Sequence, residues 1–237
     1  MASIKTSRGK FCYKPKFVYL GIKRINPVIA FENLKDLVNI LNNYGILATP
    51  AFGTLLGIIR ENDFIAWDED IDLFILKEDK EKLLDAFWDM RKEGFELIRN
   101  ARVGHLYSIM RNGEYIDFYI MEPISPEVRT TLGGGYILEK YLTDLMDWDF
   151  KGLTVKVPKE HEQCLAFMYG NWRTPVQYAD FEQSRINILK LRFAEMLKEL
   201  LPSKLHLALL RIYHKGDLNK FLSKCEKEGV VLNYPIK

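Results

Sequence analysis

Three aspartates spaced two apart, Asp68, Asp70 and Asp72, stand in the stretch IAWDEDIDLFIL, downstream of the glycine-bounded segment GTLLGIIR. Side chains two apart on a strand point to the same face. If Asp70 to Leu76 is a strand, Asp70 and Asp72 converge on one spot while Ile71, Leu73 and Ile75 face a core. Two carboxylates forced together repel, and a hard divalent cation relieves them; an oxygen-only ligand set suits Mg²⁺ or Mn²⁺. Gly53 and Gly57 flank the turn upstream, where a backbone without Cβ can approach a phosphate. A phosphate cradle beside a carboxylate-held metal is the equipment of phosphoryl or nucleotidyl transfer. A third acid fits the same pattern. In Tyr115-Ile116-Asp117-Phe118-Tyr119-Ile120, alternation puts Tyr115, Asp117 and Tyr119 on one face of a strand. Asp117 is a single acid in an apolar run, and burying it alone costs several kcal/mol. A cation shared with Asp70 and Asp72 removes that cost. A calcium loop is the competing reading of DEDID. Counting from Asp68, however, the sixth residue is Leu73 rather than glycine and the twelfth is Asp79 rather than glutamate.

The elements that must position these groups can be read from periodicity and breakers. Pro27 to Tyr44 reads as a helix with Ile29, Leu34, Leu37 and Leu41 at helical spacing and Gly45 placed to end it. Ile46 to Phe52 reads as a short strand, Leu55 to Arg60 as the start of a helix, and Glu78 to Lys92 as an amphipathic helix ended by Gly94. Strands are expected over Phe95–Arg99, Leu106–Arg111 and Glu114–Met121, the last two joined by Asn112-Gly113, a strong hairpin signal. Gly133-Gly134-Gly135 reads as a flexible loop. After Pro175 the chain reads as mostly helical, with Pro202 between two helices. The expected organisation is a basic N-terminal segment (1–26), a catalytic core (27–180) and a helical C-terminal appendage (181–237).

GTLLGIIR followed by IAWDEDIDLFIL resembles the signature of the LicD/fukutin family, within the nucleotidyltransferase superfamily of DNA polymerase β. Gly53-Thr54 with Asp70 and Asp72 matches the superfamily; Arg60 and the pair Trp67-Asp68 match the LicD branch. VPKEHEQCLAFMYGNWRTP, Val157 to Pro175, is similar to the family's downstream element, a helix running into a Tyr-Gly and a proline. The resemblance spans about Gly45 to Pro175. It implies an α+β fold, a polymerase β-like mixed sheet flanked by helices, with a mostly helical C-terminal region. It also implies roles: Asp70, Asp72 and Asp117 bind Mg²⁺ (or Mn²⁺) and carry catalysis, and Asp68 ligates the metal or braces the site. Gly53 and Thr54 hold phosphate oxygens, and Arg60 clamps a phosphate. Trp67 either plugs the core, the favoured reading, or stacks on a base. His105 and His161 have no partner at ligand spacing and are assigned to no metal.

The reaction implied by the resemblance takes a CDP-activated small alcohol, such as choline, ribitol or glycerol, to a hydroxyl of a glycan or lipid-linked glycan, releasing CMP. Such chemistry modifies lipopolysaccharide or capsule polysaccharide. Two alternatives use the same residues: an NTP-dependent nucleotidyltransferase acting on a small molecule, protein or RNA, and an inactive nucleotide- or glycan-binding module. Retention of Asp70, Asp72 and Asp117 argues against the second.

Composition agrees with an enzyme of ordinary globular make-up. The 237 residues are 48% hydrophobic, enough for a core without disulfides or structural metals. Cys12, Cys164 and Cys225 are distant from one another, form no CxxC, and read as reduced thiols, with Cys164 in the core. No apolar run approaches the roughly 20 residues of a membrane span, and the basic start lacks a signal core. The expectation is a cytoplasmic protein. Residues 1–24 carry seven Lys/Arg and no acid, and residues 182–237 carry eleven Lys/Arg and six acids. The remaining centre holds 16 basic and 26 acidic residues. Basic ends around an acidic centre point to weak contact with the anionic inner face of a membrane, against a plain solvated surface. The acidic centre would repel a phosphate backbone, so no nucleic-acid partner is expected.

Overall fold

The computed structural model describes residues 1–18, 23–101, 104–131, 135–175, 190 and 201–236. Its centre is a mixed sheet. The strands in order across it are β3 (Ala48–Pro50), β4 (Ile71–Leu76), β7 (Glu114–Ser125), β6 (Leu106–Arg111) and β5 (Glu96–Ala101), with β8 (Val128–Thr131) and β9 (Gly135–Leu138) continuing from the far end of β7. Among the described residues only β4 and β7 pair in parallel; β3–β4, β7–β6 and β6–β5 are antiparallel. The β6–β7 hairpin turns at Asn112-Gly113 as expected, both residues having positive φ (54° and 83°). Strand alternation gives the sheet two unlike faces. Ile71, Leu73, Ile116, Phe118, Tyr107 and Ile109 point to one face and are buried; Asp72, Asp117 and Ser108 point to the other.

The apolar face is covered by α1 (Pro27–Asn43) and α3 (Lys80–Lys92). α1 starts where Asn26 Oδ1 accepts from the amides of Val28 and Ile29 (3.1 and 3.2 Å) with Pro27 at the first helical position. It stops at Gly45, whose φ is +59°. Its buried stripe is Ala30, Leu34, Leu37 and Leu41, with Ile29 only half-buried. Asn33, in the same stripe, donates to the carbonyl of Arg111 (2.9 Å) and accepts from Arg111 Nε (2.8 Å), tying the helix to the β6–β7 turn. α3 places Phe87 against Tyr107 and Phe118 of the sheet.

The N-terminal residues are more than a basic segment. β1 (Ala2–Thr6) and β2 (Gly9–Tyr13) form a hairpin on the outer side of α3, with Phe11 buried edge-on against Trp88 (5.0 Å) and the Arg91 guanidinium 3.6 Å over its ring. Arg8, Lys16 and Lys23 pair with Asp89, Glu96 and Glu114, so part of the N-terminal charge is neutralised locally. Strands β8 and β9 and the hairpin of β10 (Leu145–Phe150) and β11 (Leu153–Pro158) have no counterpart in the sequence reading. The last turns at Lys151-Gly152, both at positive φ, a lysine standing where Asn or Asp usually signals such a turn. Gly135 opens β9; Leu132, Gly133 and Gly134 lie outside the described residues. The short α4 (Lys140–Thr143) follows β9, and α5 (His161–Tyr169) carries buried Cys164, whose thiol burial pushes up to about 12.

Near the C-terminus α6 (Ser203–Tyr213) follows Pro202 and leads into α7 (Lys215–Lys227). The helix expected before Pro202 lies almost wholly outside the described residues. α7 packs Phe221 against Tyr136 of β9 and Phe167 of α5 (5.6 and 5.8 Å). No helix among the described residues is long and apolar enough to cross a membrane.

Candidate active site

The polar face of the sheet carries a row of side chains in register across four strands. Arg99 on β5 lies opposite Ser108 on β6, Ser108 opposite Asp117 on β7, and Asp117 opposite Asp72 on β4. Asp70 stands one residue before β4, which begins at Ile71 rather than at Asp70 as expected, and is half-buried. One oxygen from each of Asp70, Asp72 and Asp117 lies within 4.8 Å of the others. The expected convergence of Asp70 and Asp72 is found, and parallel pairing of β4 with β7 brings Asp117 to the same spot. Tyr115 and Tyr119, two residues either side of Asp117, hydrogen-bond Asp70 and Asp72.

The electrostatics are those of an anion cluster short of positive charge. Burial, then Asp117 and Asp68, raise the pKa of Asp70 well above the usual carboxylate range. Asp72 is raised in the same way by burial, then by Asp70 and Asp117. Its Oδ1 is buried and has no hydrogen-bond partner among the described residues, although buried polar atoms nearly always have one. An orphaned carboxylate oxygen beside two further carboxylates, with hard oxygen donors throughout, fits a divalent cation such as Mg²⁺ or Mn²⁺. Neither His105 nor His161 joins the cluster. His105 is buried, 3.6 Å from Glu122, and His161 packs on Trp148.

Asp117, expected to be balanced by a shared cation, also has a protein partner that the sequence reading did not foresee. Arg99 Nη2 donates to Asp117 Oδ2 at 2.5 Å, and Arg99 Nε donates to Ser108 Oγ at 2.8 Å. No sequence motif pointed to Arg99. The signal lay in the alternation of three successive strands, which puts 99, 108 and 117 on one face once the register is known.

The helix after β3 carries the residues expected to hold phosphate. α2 (Phe52–Glu61) begins at Phe52, a non-glycine residue at φ +43° whose ring packs edge-on to Phe74 and Tyr119 (5.0 and 5.1 Å). Gly53 follows, and a Cβ there would fall 2.3 Å from Asp68 Oδ2. Glycine lets the Asp68 carboxylate lie against the first turn of α2; a Cβ there would displace it. Asp68 is not among the three acids that converge; it stands beside them, and burial raises its pKa. Thr54, expected to hold phosphate oxygens, is 1% exposed, and its Oγ1 accepts from the Asp72 amide at 2.9 Å. It braces the aspartate strand.

Arg60 also differs from expectation. It sits seven residues beyond Gly53, about 10 Å along the helix axis. Its Nη1 donates to the carbonyl of Trp172 (3.0 Å), and its Nε and Nη2 donate to Glu61. Arg60 therefore ties α2 to the loop after α5, which joins the two sequence motifs physically. Trp67, favoured as a core plug, is 38% exposed, and Trp172 is the buried one. Gly170 takes φ +68° to end α5, and Tyr169 beside it is exposed.

Residues 46–160 match the LicD/FKTN/FKRP family, nucleotidyltransferase domain. A putative methylthioribose-1-phosphate isomerase from Aeropyrum pernix is 38% identical over 72 residues, 28% of this chain and 18% of that protein. The lipopolysaccharide cholinephosphotransferase LicD of Haemophilus influenzae is 30% identical over 66 residues, 27% of this chain and 25% of that protein. The chain thus spans a quarter or less of the length of these curated relatives, whose names state unrelated reactions. Among solved structures, lincomycin-bound lincosamide antibiotic adenylyltransferase LnuA superposes with a TM-score of 0.42 at 8% identity over 68% of this chain and 93% of that one. ANT(2")-Ia in complex with adenylyl-2"-tobramycin gives 0.44 at 12% identity over 79% and 99%. Superpositions at these scores add nothing to the assignment, which rests on the matched domain and on the carboxylates it brings together. Residues 46–160 are a nucleotidyltransferase domain of the LicD/FKTN/FKRP family.

Proposed function

We propose that this domain is a metal-dependent transferase that moves a phosphoryl-linked small alcohol from a CDP-activated donor to a glycan hydroxyl. The observation that carries the reading is the convergence of Asp70, Asp72 and Asp117 within 4.8 Å where β4 and β7 pair in parallel, Asp70 just ahead of β4. The LicD/FKTN/FKRP match fits a transferase of this kind, and the Haemophilus influenzae relative, named as a lipopolysaccharide cholinephosphotransferase, supports the transfer of a phosphoryl-linked alcohol.

In this reading the acceptor oxygen bonds to the distal phosphorus of the donor, the bond from that phosphorus to the bridging oxygen breaks, and CMP leaves. Asp70, Asp72 and Asp117 would hold Mg²⁺ or Mn²⁺. Bound there, such a cation draws charge from phosphate oxygens and lowers the pKa of an alcohol. Asp117 orients the acceptor hydroxyl or takes its proton. Thr54 fixes the backbone of Asp72, and Tyr115 and Tyr119 fix the carboxylates of Asp70 and Asp72, so the cluster is set before substrate arrives. The first turn of α2 offers backbone amides to an anion once Asp68 moves from it.

Incubation with Mg²⁺, a glycan acceptor and a panel of CDP-alcohols tests the reading. CMP release that depends on both partners is expected. Release of pyrophosphate from an NTP, with no CMP from any CDP-alcohol, would replace it with nucleotidyl transfer.

A further inference from the structure

Arg99 brings a positive charge to an otherwise acidic site, and its placement is unusually constrained. The guanidinium is pinned along one edge, Nε on Ser108 and Nη2 on Asp117, each partner coming from a different strand. Nη1 makes no hydrogen bond among the described residues. The side chain is 28% exposed while that of Asp117 is 3% exposed, so the pair lies at the boundary between the buried carboxylates and the outside. A guanidinium is planar and presents N–H donors in a rigid fork, so fixing one edge also fixes the other. Pinning of this kind does more than neutralise Asp117, for which a single contact is enough.

The charge balance points the same way. Three ionised carboxylates outweigh one divalent cation by a full charge, and a site left negative would repel an anionic donor. Arg99 cancels that excess within hydrogen-bond distance of Asp117. We infer that Arg99 is a substrate contact of this site: its unpinned N–H edge receives a phosphate oxygen of the donor, beside the metal ligands. The inference rests on the reading of the three aspartates as the metal centre of a phosphate-transferring enzyme. It assigns to Arg99 the anion-binding task expected of Arg60, which is tied to the Trp172 carbonyl. Ser108 is the positioning residue, because it sets the plane in which the guanidinium lies.

Calorimetric titration separates this role from a simple brace on Asp117. The parent, Arg99→Met and Arg99→Lys are titrated with Mn²⁺ alone, then with the Mn²⁺ complexes of inorganic pyrophosphate and of CDP. Arg99→Met is expected to bind Mn²⁺ as tightly as the parent or severalfold tighter, since a competing cation has gone, and to bind both complexes at least tenfold more weakly. Arg99→Lys keeps the charge and guards against loss of fold. It is expected to fall between the two, because an ammonium cannot hold Ser108 and Asp117 and still offer a fixed edge. Complexes bound equally by the parent and both variants would overturn the inference. So would a parallel loss of Mn²⁺ and anion binding in both variants, which marks a brace, or a metal-loaded parent that binds neither complex. Arg99-dependent binding of pyrophosphate without binding of CDP would uphold Arg99 and instead remove the CDP-linked donor.

Discussion

Asp72→Asn in the metal-free protein should stabilise the fold and, in the same step, abolish its response to Mg²⁺. Asp72 has two carboxylate neighbours in the cluster, with oxygens within 4.8 Å. At an effective dielectric constant of about 20, unit charges at that separation repel by roughly 3 kcal/mol per pair. The native protein avoids part of this by keeping a proton, so the gain from neutralising Asp72 near pH 8 is about 1–3 kcal/mol. For a chain of this length, each kcal/mol moves the melting temperature by about 2–4 °C, giving a rise of roughly 2–12 °C in EDTA. The parent should gain about 2.7 kcal/mol when Mg²⁺ reaches a hundred times its Kd, and Asp72→Asn should gain almost none. The pH dependence follows from the same carboxylates. Burial and mutual repulsion raise the folded-state pKa values of Asp70 and Asp72, so between the ordinary aspartate value near 4 and those raised values the native state holds more protons than the unfolded chain. Metal-free stability should therefore fall as pH rises through that window, less steeply in Asp72→Asn than in the parent. Saturating Mg²⁺ should flatten the fall in the parent. Thermal melts in EDTA and in Mg²⁺ from pH 5 to 9 read all of this. A mutant that melts below the parent in EDTA, or keeps the parent's Mg²⁺ shift, would refute the cluster as a metal centre.

Arg60→Ala should lower stability by about 1.5–3 kcal/mol, the usual worth of a hydrogen bond to a charged group, while leaving KM within threefold of the parent at temperatures well below melting. A tenfold rise in KM with unchanged melting would return Arg60 to phosphate binding. Gly53→Ala should displace the Asp68 carboxylate, since a Cβ there meets Oδ2 at 2.3 Å, and Asp68→Ala should relieve the clash. A double-mutant cycle by chemical denaturation should show coupling of about 0.5–3 kcal/mol, and additivity would mean that the two residues do not touch.

Period-two alternation alone placed Asp70 and Asp72 together and put Tyr115, Asp117 and Tyr119 on one face, because a half-polar strand writes its burial into the sequence. The Asn112-Gly113 turn and the ends of α1 were legible for a similar local reason. What escaped were relations between distant segments. Arg99 reaches Asp117 only through the register of β5, β6 and β7, which no short motif encodes. The contact of Arg60 was not legible because its partner is a main-chain carbonyl more than a hundred positions later, and a carbonyl has no sequence signature. Trp67 follows an apolar stretch yet lies exposed, and Trp172, in a polar loop, is buried; contacts made by the whole fold decided both. Strands β8 and β9 are only four residues each, and β10–β11 turns at Lys-Gly rather than Asn-Gly, so the punctuation that marked the earlier hairpin was missing.

The lone parallel pairing of the sheet also has a bearing on the order of assembly. β5, β6 and β7 follow one another and pair as an antiparallel meander, closing short loops that cost little entropy. β4 must wait for α3 and that meander before it can lie beside β7, and contacts at long sequence separation form late. Asp117 therefore meets Arg99, 18 positions away, before it meets Asp72, 45 positions away across the parallel register. Arg99 shields the acid while the chain is still incomplete, and the repulsion among carboxylates is deferred to the docking of β4. A divalent cation then acts on folding at that final docking step. Stopped-flow refolding should show Mg²⁺ accelerating the last phase only, and an effect on the earliest phase would reverse this order.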